Sequence, residues 1–343
     1  MLRPSAAFRY LPAAHGCAWL RTVETPTERI VEVNGVQLRV FDAGPLDAPV
    51  VVLAHGFPEL ARFWRLQIPA LAAAGYRVLA PDQRGYGGSS RPTTVESYDI
   101  AALTGDLVAL LDVVGAERAA IVGHDWGAVV AWSTPLLHPD RVAAVAGLSM
   151  PPLPRPATPP TEAFRRIFGD NFFYMLYFQQ PGVADAEMDA DPHRAMLRML
   201  GGMRAPADEA TATRMLAPGP AGFIDRLPQP DHLPAWLAPA ELDHYVAEFT
   251  RTGFTGGLNW YRNFDRNWRI MASPPAETIS VPSLFVGGTA DPVLGFTRVD
   301  RAREVATGPY RQVMLDGAGH WIQQERPAEI NAELLAFLSD VKW

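Results

Sequence analysis

Short apolar runs of the kind that form fully buried β-strands recur along the chain. Residues 50–54 are Val-Val-Val-Leu-Ala, without a polar side chain. Such a run is typical of a strand buried on both faces, as in parallel sheets that helices cover on two sides. Comparable runs, of which the first and last are less purely apolar, occupy 76–80, 119–122, 142–148, 283–287 and 311–315.

Helical patterns separate these runs, most clearly over 99–114 and 128–138. Strands that alternate with helices are typical of βαβ units, in which right-handed crossovers join parallel strands. Before the first apolar run, the segments 28–33 and 36–41 flank an Asn-Gly pair, a strong hairpin signal. We therefore predict an α/β fold with a mostly parallel eight-stranded sheet and helices on both faces.

A proline-rich segment interrupts the alternation. Residues 151–160 are Pro-Pro-Leu-Pro-Arg-Pro-Ala-Thr-Pro-Pro, which fits neither a helix interior nor a central strand. The following stretch has mainly helical patterns until a buried strand returns at 283. We predict four segments: a flexible tail (1–26), the first part of the core (27–150), an inserted helical lid (151–273) and the second part of the core (274–343).

The composition excludes several classes of protein. The 343 residues carry a formal net charge of −7, which offers no basic surface to nucleic acid. The single cysteine, Cys17, excludes an internal disulfide framework and fits the reducing cytoplasm, where we expect the protein. No apolar run approaches the ~18 residues of a membrane span, and the N-terminus lacks the compact apolar segment of a signal peptide.

An aspartate occupies the nucleophile position of a sharp strand-to-helix turn. The run 119–122 leads into Gly-His-Asp-Trp-Gly, residues 123–127, and a helical pattern follows. This is the context of the nucleophile elbow G-x-S-x-G, with Asp125 in place of the serine. A carboxylate is already charged at pH 7 and can attack an sp3 carbon that carries a leaving oxygen or halogen. Water must then hydrolyse the resulting ester of Asp125.

The groups needed for ester hydrolysis follow other strands. Phe57 lies in a glycine turn after 50–54, so its backbone N–H and that of Trp126 can form an oxyanion hole. Asp291 and His320 follow the last two strands, in the chain order nucleophile, acid, histidine. Because ligand sites lie at the carboxyl ends of parallel strands, we predict His320 as the general base and Asp291 as its orienting partner.

Longer sequence blocks connect these residues to a known family. Over nearly all of residues 27–343 the chain resembles the epoxide hydrolases of the α/β-hydrolase superfamily. The blocks that carry the resemblance are H-G-F-P-E (55–59), D-Q-R-G-Y-G (82–87), G-H-D-W-G (123–127), G-H-W (319–321) and, in the predicted lid, Y-F-Q-Q-P-G-V-A (177–184) and N-W-Y-R-N (259–263). The resemblance implies that Asp125 opens an epoxide to a hydroxyalkyl ester, which His320-activated water cleaves to a vicinal diol.

Opening an epoxide generates an alkoxide, a very poor leaving group unless a proton donor assists it. A phenol can supply that proton. The resemblance implies that Tyr177 and Tyr261, both in the predicted lid, do so. A different register of the first lid block would give Tyr174 the role of Tyr177. The resemblance also implies a cis peptide bond between Phe57 and Pro58.

We expect the substrate pocket between core and lid. Its predicted walls are His55, Pro58, Phe173, Trp236 and Trp321. A mostly apolar pocket would suit a small lipophilic epoxide, with water as the second substrate and no metal or organic cofactor.

Two other functions stay open from the sequence. A haloalkane dehalogenase shares this fold and the Asp-Trp pair, but it often carries asparagine where this chain has Phe57. A ligand-binding relative without catalysis is the third possibility, although the full set of Asp125, Asp291 and His320 argues against it. Both a monomer and a homodimer are compatible with the sequence.

Overall fold

The computed structural model describes residues 25–203 and 209–343, so nearly all of the predicted tail lies outside the described residues. The strands are β1 (Thr27–Val33), β2 (Val36–Ala43), β3 (Val50–Ala54), β4 (Arg77–Pro81), β5 (Ala119–His124), β6 (Val142–Leu148), β7 (Ser283–Gly288) and β8 (Tyr310–Leu315). They form one sheet in the order β1-β2-β4-β3-β5-β6-β7-β8. The strand β2 runs antiparallel to β1 and β4, and the other neighbours are parallel. The predicted sheet is therefore confirmed, with strand ends shifted by one or two residues.

Helices cover both faces of the sheet. They are α1 (Ile68–Ala73), α2 (Ile100–Val114), α3 (Trp126–Leu137), α4 (Pro160–Phe168), α5 (Tyr174–Tyr177), α6 (Val183–Ala190), α7 (Pro192–Gly202), α8 (Glu209–Leu216), α9 (Phe223–Arg226), α10 (Pro239–Thr252), α11 (Thr255–Arg262), α12 (Phe264–Ile270), α13 (Ile322–Glu325) and α14 (Pro327–Ser339). Within the described ranges, none of these helices has the length and apolar character to cross a membrane.

The apolar strand β3 contributes to two separate cores, which explains why its sequence is continuously apolar. Val52 and Ala54 pack in the core that α2 and α3 share with the lid. Val51 and Leu53 point to the opposite face and pack in the core formed with α1 and α14. Successive strand residues alternate between faces, so a strand covered on both sides needs an apolar residue at every position.

The helices α4 to α12 lie between β6 and β7 in the chain and correspond to the predicted insertion. Two buried lid side chains fasten α11 to the core by main-chain hydrogen bonds. The Trp260 indole N–H donates to the Arg84 carbonyl oxygen over 3.3 Å, and the Asn263 amide donates to that of Val95 over 2.6 Å. The boundaries of the lid at 151 and 273 stay a prediction.

Candidate active site

The predicted nucleophile lies in a strained turn between β5 and α3. Asp125 has a φ of 52° and a ψ of −121°, which L-amino acids rarely adopt. Two glycines make the turn possible. A Cβ on Gly123 would lie 2.0 Å from the Gly127 carbonyl oxygen, and a Cβ on Gly127 would lie 2.0 Å from the Ala54 carbonyl oxygen. The turn presents the Asp125 carboxylate at the carboxyl end of β5, with 16% of the side chain exposed.

The turn after β3 supplies a hydrogen-bond donor to this carboxylate. The backbone N–H of Phe57 donates to Asp125 Oδ1 over 2.8 Å. The Phe57–Pro58 peptide bond is cis, as predicted. A Cβ on Gly56 would lie 2.5 Å from the same Asp125 oxygen, so a side chain there would obstruct the approach. One of the two predicted oxyanion donors is thus in place, and the N–H of Trp126 stays a prediction.

His320 lies between the two predicted catalytic carboxylates. Its Nδ1 is 3.1 and 3.0 Å from the two carboxylate oxygens of Asp291. Its Nε2 is 3.7 Å from Asp125 Oδ2. Because an ionised carboxylate only accepts hydrogen bonds, Nδ1 carries a proton, and Nε2 faces the nucleophile. The structure therefore brings together the three residues that follow β5, β7 and β8.

Burial and charge oppose each other in this group. Burial alone would lower the pKa of His320, but the neighbouring Asp291 and Asp125 carboxylates raise it to about 9. Burial raises the pKa of Asp125, and the His320 charge counteracts that effect. Near pH 7 the site therefore holds an imidazolium beside Asp125. If Asp125 loses its negative charge, the pKa of His320 falls.

A second buried histidine supports the loop that carries His320. The His124 Nε2 donates to the main-chain oxygen of His320 over 2.8 Å, and its Nδ1 lies 2.5 Å from Glu59 Oε1. The Ser149 hydroxyl donates to the same His320 oxygen over 2.8 Å. Glu59 Oε1 also accepts the N–H of Gly56 over 3.0 Å. One network therefore joins the turn after β3 to the loop after β8.

The charge of the Asp125 carboxylate acts on two lid tyrosines. Tyr261, on α11, is buried, and that burial together with the Asp125 charge raises its pKa well above the ordinary value. At the start of α5, the pKa of Tyr174 is raised by burial and by the charges of Asp125 and Asp291. The two ring centroids are 6.3 Å apart. Both phenols therefore stay protonated near neutral pH and can donate.

Tyr177 has a different partner. Its hydroxyl donates to Glu187 Oε2 over 3.0 Å, and burial followed by the Glu187 charge raises its pKa. The resemblance implied that Tyr177 and Tyr261 are the two proton donors, whereas the Tyr177 hydroxyl is bound to Glu187. Tyr174, the alternative register, is the tyrosine of α5 that packs against Tyr261 and that the Asp125 charge acts on. The reason is that α5 is a single turn, in which ring contacts rather than motif spacing decide where each tyrosine points.

The sequence and the fold both match known proteins. Residues 49–327 match the family described as alpha/beta hydrolase fold. The chain is 70% identical to Epoxide hydrolase A of Mycobacterium tuberculosis (strain ATCC 25618 / H37Rv) over 317 residues, which cover 92% of this chain and 98% of that protein. This chain belongs to the epoxide hydrolase family of the α/β-hydrolase fold.

Other epoxide hydrolases agree with this assignment. Epoxide hydrolase 3 of Siraitia grosvenorii is 39% identical over 319 residues, covering 90% of this chain and 97% of that protein. The crystal structure of Epoxide Hydrolase A from Mycobacterium thermoresistibile matches with a TM-score of 0.90 and 66% identity, over 93% of this chain and 99% of that one. The predicted family and fold class are thus confirmed.

A cavity of about 740 Å³ reaches the epoxide hydrolase site at Asp291 and Tyr174. Its walls come from the lid, from the end of β7 and the segment after it, and from β8. They are mostly apolar, including Phe172, Phe173, Met215, Leu216, Phe223, Leu227, Leu294 and Val299. Within the described ranges, no group of three or more histidine, cysteine, aspartate or glutamate residues is arranged to hold a metal ion.

Of the predicted pocket residues, Phe173 lines this cavity, whereas His55, Pro58, Trp236 and Trp321 are not among its walls. Both ring nitrogens of His55 bind main chain. Nδ1–H donates to the Gly56 oxygen over 2.9 Å, and Nε2 accepts the N–H of Gln83 over 3.0 Å. Trp321 packs edge-on against the His320 ring. His55 and Trp321 therefore support the turns of the site. A sequence motif does not distinguish a residue with that role from one that lines a cavity.

Sequence analysis did not single out two carboxylates that organise the site, Glu59 and Glu187. The available signal for Glu59 was a charged residue inside the otherwise apolar turn block 55–59. Glu187 lies on the polar-rich helix α6, where a glutamate is unremarkable in sequence. Its role depends on partners that are distant in the chain, so no local pattern could have indicated it.

Proposed function

We propose that this epoxide hydrolase converts an epoxide to a vicinal diol through a covalent ester on Asp125. The observation that carries the proposal is the different environment of the two Asp125 oxygens. Oδ1 accepts the Phe57 N–H, whereas Oδ2 lies 3.7 Å from His320 Nε2. One oxygen is thus held as a future carbonyl oxygen, and the other is free to attack.

In the first step, Asp125 Oδ2 attacks a ring carbon of the epoxide. A carbon–oxygen bond forms to Oδ2 as the ring carbon–oxygen bond breaks. The developing alkoxide takes a proton from a phenol, and we assign Tyr174 and Tyr261 to that role because both lie within the field of the Asp125 carboxylate. A positioned acid of this kind contributes roughly 10²–10⁴-fold to a rate.

In the second step, water attacks the Asp125 carbonyl carbon. His320 Nε2 takes a proton from the water, and the Phe57 N–H donates to the oxyanion that forms on Oδ1. The alkyl oxygen then leaves with the proton from His320, which completes the diol. The proton left on the Asp125 carboxyl replaces the one that the phenol gave up, so the net reaction consumes one water.

Formation of the ester prepares the second step electrostatically. Asp125 is one of the charges that raise the pKa of His320. The ester is neutral, so alkylation lowers that pKa, the Nε2 proton passes to solvent, and the neutral imidazole that a general base requires is left. A proton returns to Nε2 from solvent once the free carboxylate of Asp125 is restored. The same histidine is therefore charged while the carboxylate attacks and becomes a base after the attack.

The cavity indicates the kind of substrate. Its mostly apolar walls fit an epoxide with a lipophilic substituent, and Tyr174 and Asp291 mark the end at which the reacting ring would lie. Apolar walls also limit the competing access of water to the site.

The test is the intact mass of a His320→Gln variant after exposure to trans-stilbene oxide. We expect a mass gain of one whole epoxide, located on the peptide that contains Asp125, with little release of diol. The matched control is His193→Gln, which changes a histidine of the lid and should turn over normally. Normal turnover by His320→Gln, or an adduct on another residue, would overturn the mechanism.

A further inference from the structure

The Glu187 carboxylate joins three lid helices. From α6, it accepts the Tyr177 hydroxyl of α5 at Oε2 over 3.0 Å. It also accepts backbone N–H groups at the start of α9, that of Phe223 at Oε2 over 3.0 Å and that of Ile224 at Oε1 over 2.8 Å. A single carboxylate thus fixes the position of the one-turn helix α9 relative to α5.

The helix α9 in turn holds Tyr174. The buried Phe223 ring stacks on the Tyr174 ring, with centroids 5.3 Å apart and planes 29° apart. Phe178 packs edge-on against Phe223 at 5.1 Å and against Tyr261 at 5.0 Å. The position of Tyr174 relative to Tyr261 therefore depends on where α9 lies.

We propose that Glu187 is a positioning residue for ring opening. It acts through Phe223 to hold the Tyr174 hydroxyl where the epoxide oxygen develops its charge. This proposal rests on the proposed function, which makes Tyr174 a proton donor. Glu187 should affect alkylation of Asp125 and leave ester hydrolysis unchanged, because the second step uses His320 and Asp291.

The effect runs through position rather than through charge. The charges that act on the Tyr174 phenol are those of Asp125 and Asp291. Gly222 provides a way to separate the two effects. A Cβ there would lie 2.2 Å from Glu187 Oε1, while the Gly222 backbone is extended, a conformation that alanine also adopts. Gly222→Ala therefore displaces the carboxylate without removing its charge.

The experiment measures the two steps separately in single turnovers of the full chain with trans-stilbene oxide, using quenched-flow intact mass. We expect alkylation to slow about tenfold in Glu187→Gln and in Gly222→Ala, a part of the 10²–10⁴ that a positioned acid contributes. Tyr177→Phe removes one of the hydrogen bonds to the Glu187 carboxylate and should slow alkylation about threefold. Ester decay should stay within twofold of wild type in all three variants.

Asp225→Asn is the matched control. It removes an exposed carboxylate from the same helical turn, where Asp225 pairs with Arg194, and it leaves the Glu187 contacts intact. We expect both steps to be unchanged. Circular dichroism and the thermal midpoint identify any variant that loses the fold.

The Tyr174→Phe background decides between the possible causes. If Glu187 acts through the Tyr174 hydroxyl, adding Glu187→Gln to Tyr174→Phe will slow alkylation no further. Additive effects, or equal slowing of both steps, would overturn the positioning role. If Tyr174→Phe alone left alkylation unchanged, the assignment of the acid in the proposed function would fail instead.

Discussion

The core and the lid hold the groups proposed for catalysis in different ways. In the core, Asp125, Asp291 and His320 each follow the end of a strand, and His320 contacts both carboxylates directly. In the lid, Tyr174 begins a single helical turn, and its direction depends on Phe223 from another helix. Local sequence thus specifies the position of a residue that follows a strand. The orientation of a short lid helix depends instead on contacts with residues that are distant in the chain.

The largest expected effect concerns the core site. Asp125→Ala removes the nucleophile, so turnover should fall about 10⁴-fold or more, as is typical when a nucleophile is removed. No mass adduct should form with trans-stilbene oxide. Asp140→Ala, an exposed carboxylate elsewhere on the core, should retain wild-type turnover. Residual turnover close to wild type would show that another group attacks the epoxide.

Substitution of the two tyrosines of α5 tests which of them acts in the lid. Tyr174→Phe removes a proton donor and should lower the alkylation rate about 10²-fold. Tyr177→Phe removes a donor to Glu187 and should lower it far less. Single-turnover alkylation rates compare the two variants directly. The reverse order of effects would restore the register that the sequence favoured and would place the Tyr177 hydroxyl at the epoxide.

The pH dependence separates the two states of the site. In the free enzyme, neighbouring carboxylates raise the pKa of His320 to about 9. Neutralising Asp125 as an ester removes part of that effect and lowers the pKa of His320 below its value in the free enzyme. The rate of ester hydrolysis should therefore rise about tenfold per unit of increasing pH and level off below pH 9, where His320 is already neutral. Decay of the ester in single-turnover pH jumps gives the midpoint. A midpoint at or above 9 would contradict the coupling between Asp125 and His320.

The smallest effect concerns the network beneath the core site. Glu59→Gln weakens the buried contact with His124 and should lower the free energy of unfolding by about 1–3 kcal/mol. Urea denaturation measures it. Glu162→Gln, an exposed partner of Arg166, should change it by less than about 0.5 kcal/mol. Equal losses of unfolding free energy in both variants would contradict a stabilising role for the buried contact between Glu59 and His124.

The sequence predicted the fold, and the proximity of Asp125, Asp291 and His320, for one physical reason. A strand covered on both faces must be apolar at every position, as Val50–Ala54 is, so the strands were visible in the sequence. The residues that we propose as catalytic follow those strands in loops with motifs such as that around Asp125. Strand ends of a parallel sheet meet at one edge, so chain order alone brought the groups together.

The lid could not be predicted to the same depth. Tyr174 and Tyr177 are one helical turn apart, and both lie in or beside the same sequence block. Phe223 stacks on Tyr174 and Glu187 binds the Tyr177 hydroxyl, and neither contact with α5 has a local signature in the sequence. The choice between the two tyrosines is a property of tertiary packing, and periodicity carries no information about it.

The side chain that we propose as the nucleophile belongs to a residue type that does not fit the backbone conformation at position 125 without strain. At a φ of 52° and a ψ of −121°, glycine is the residue that fits without strain. Asp125→Gly should therefore be more stable than Asp125→Ala by about 1–3 kcal/mol, the reverse of the usual order of glycine and alanine. Stability-guided redesign of this chain would thus favour glycine at position 125, which removes the proposed nucleophile, so a screen for thermostable variants must keep this position fixed.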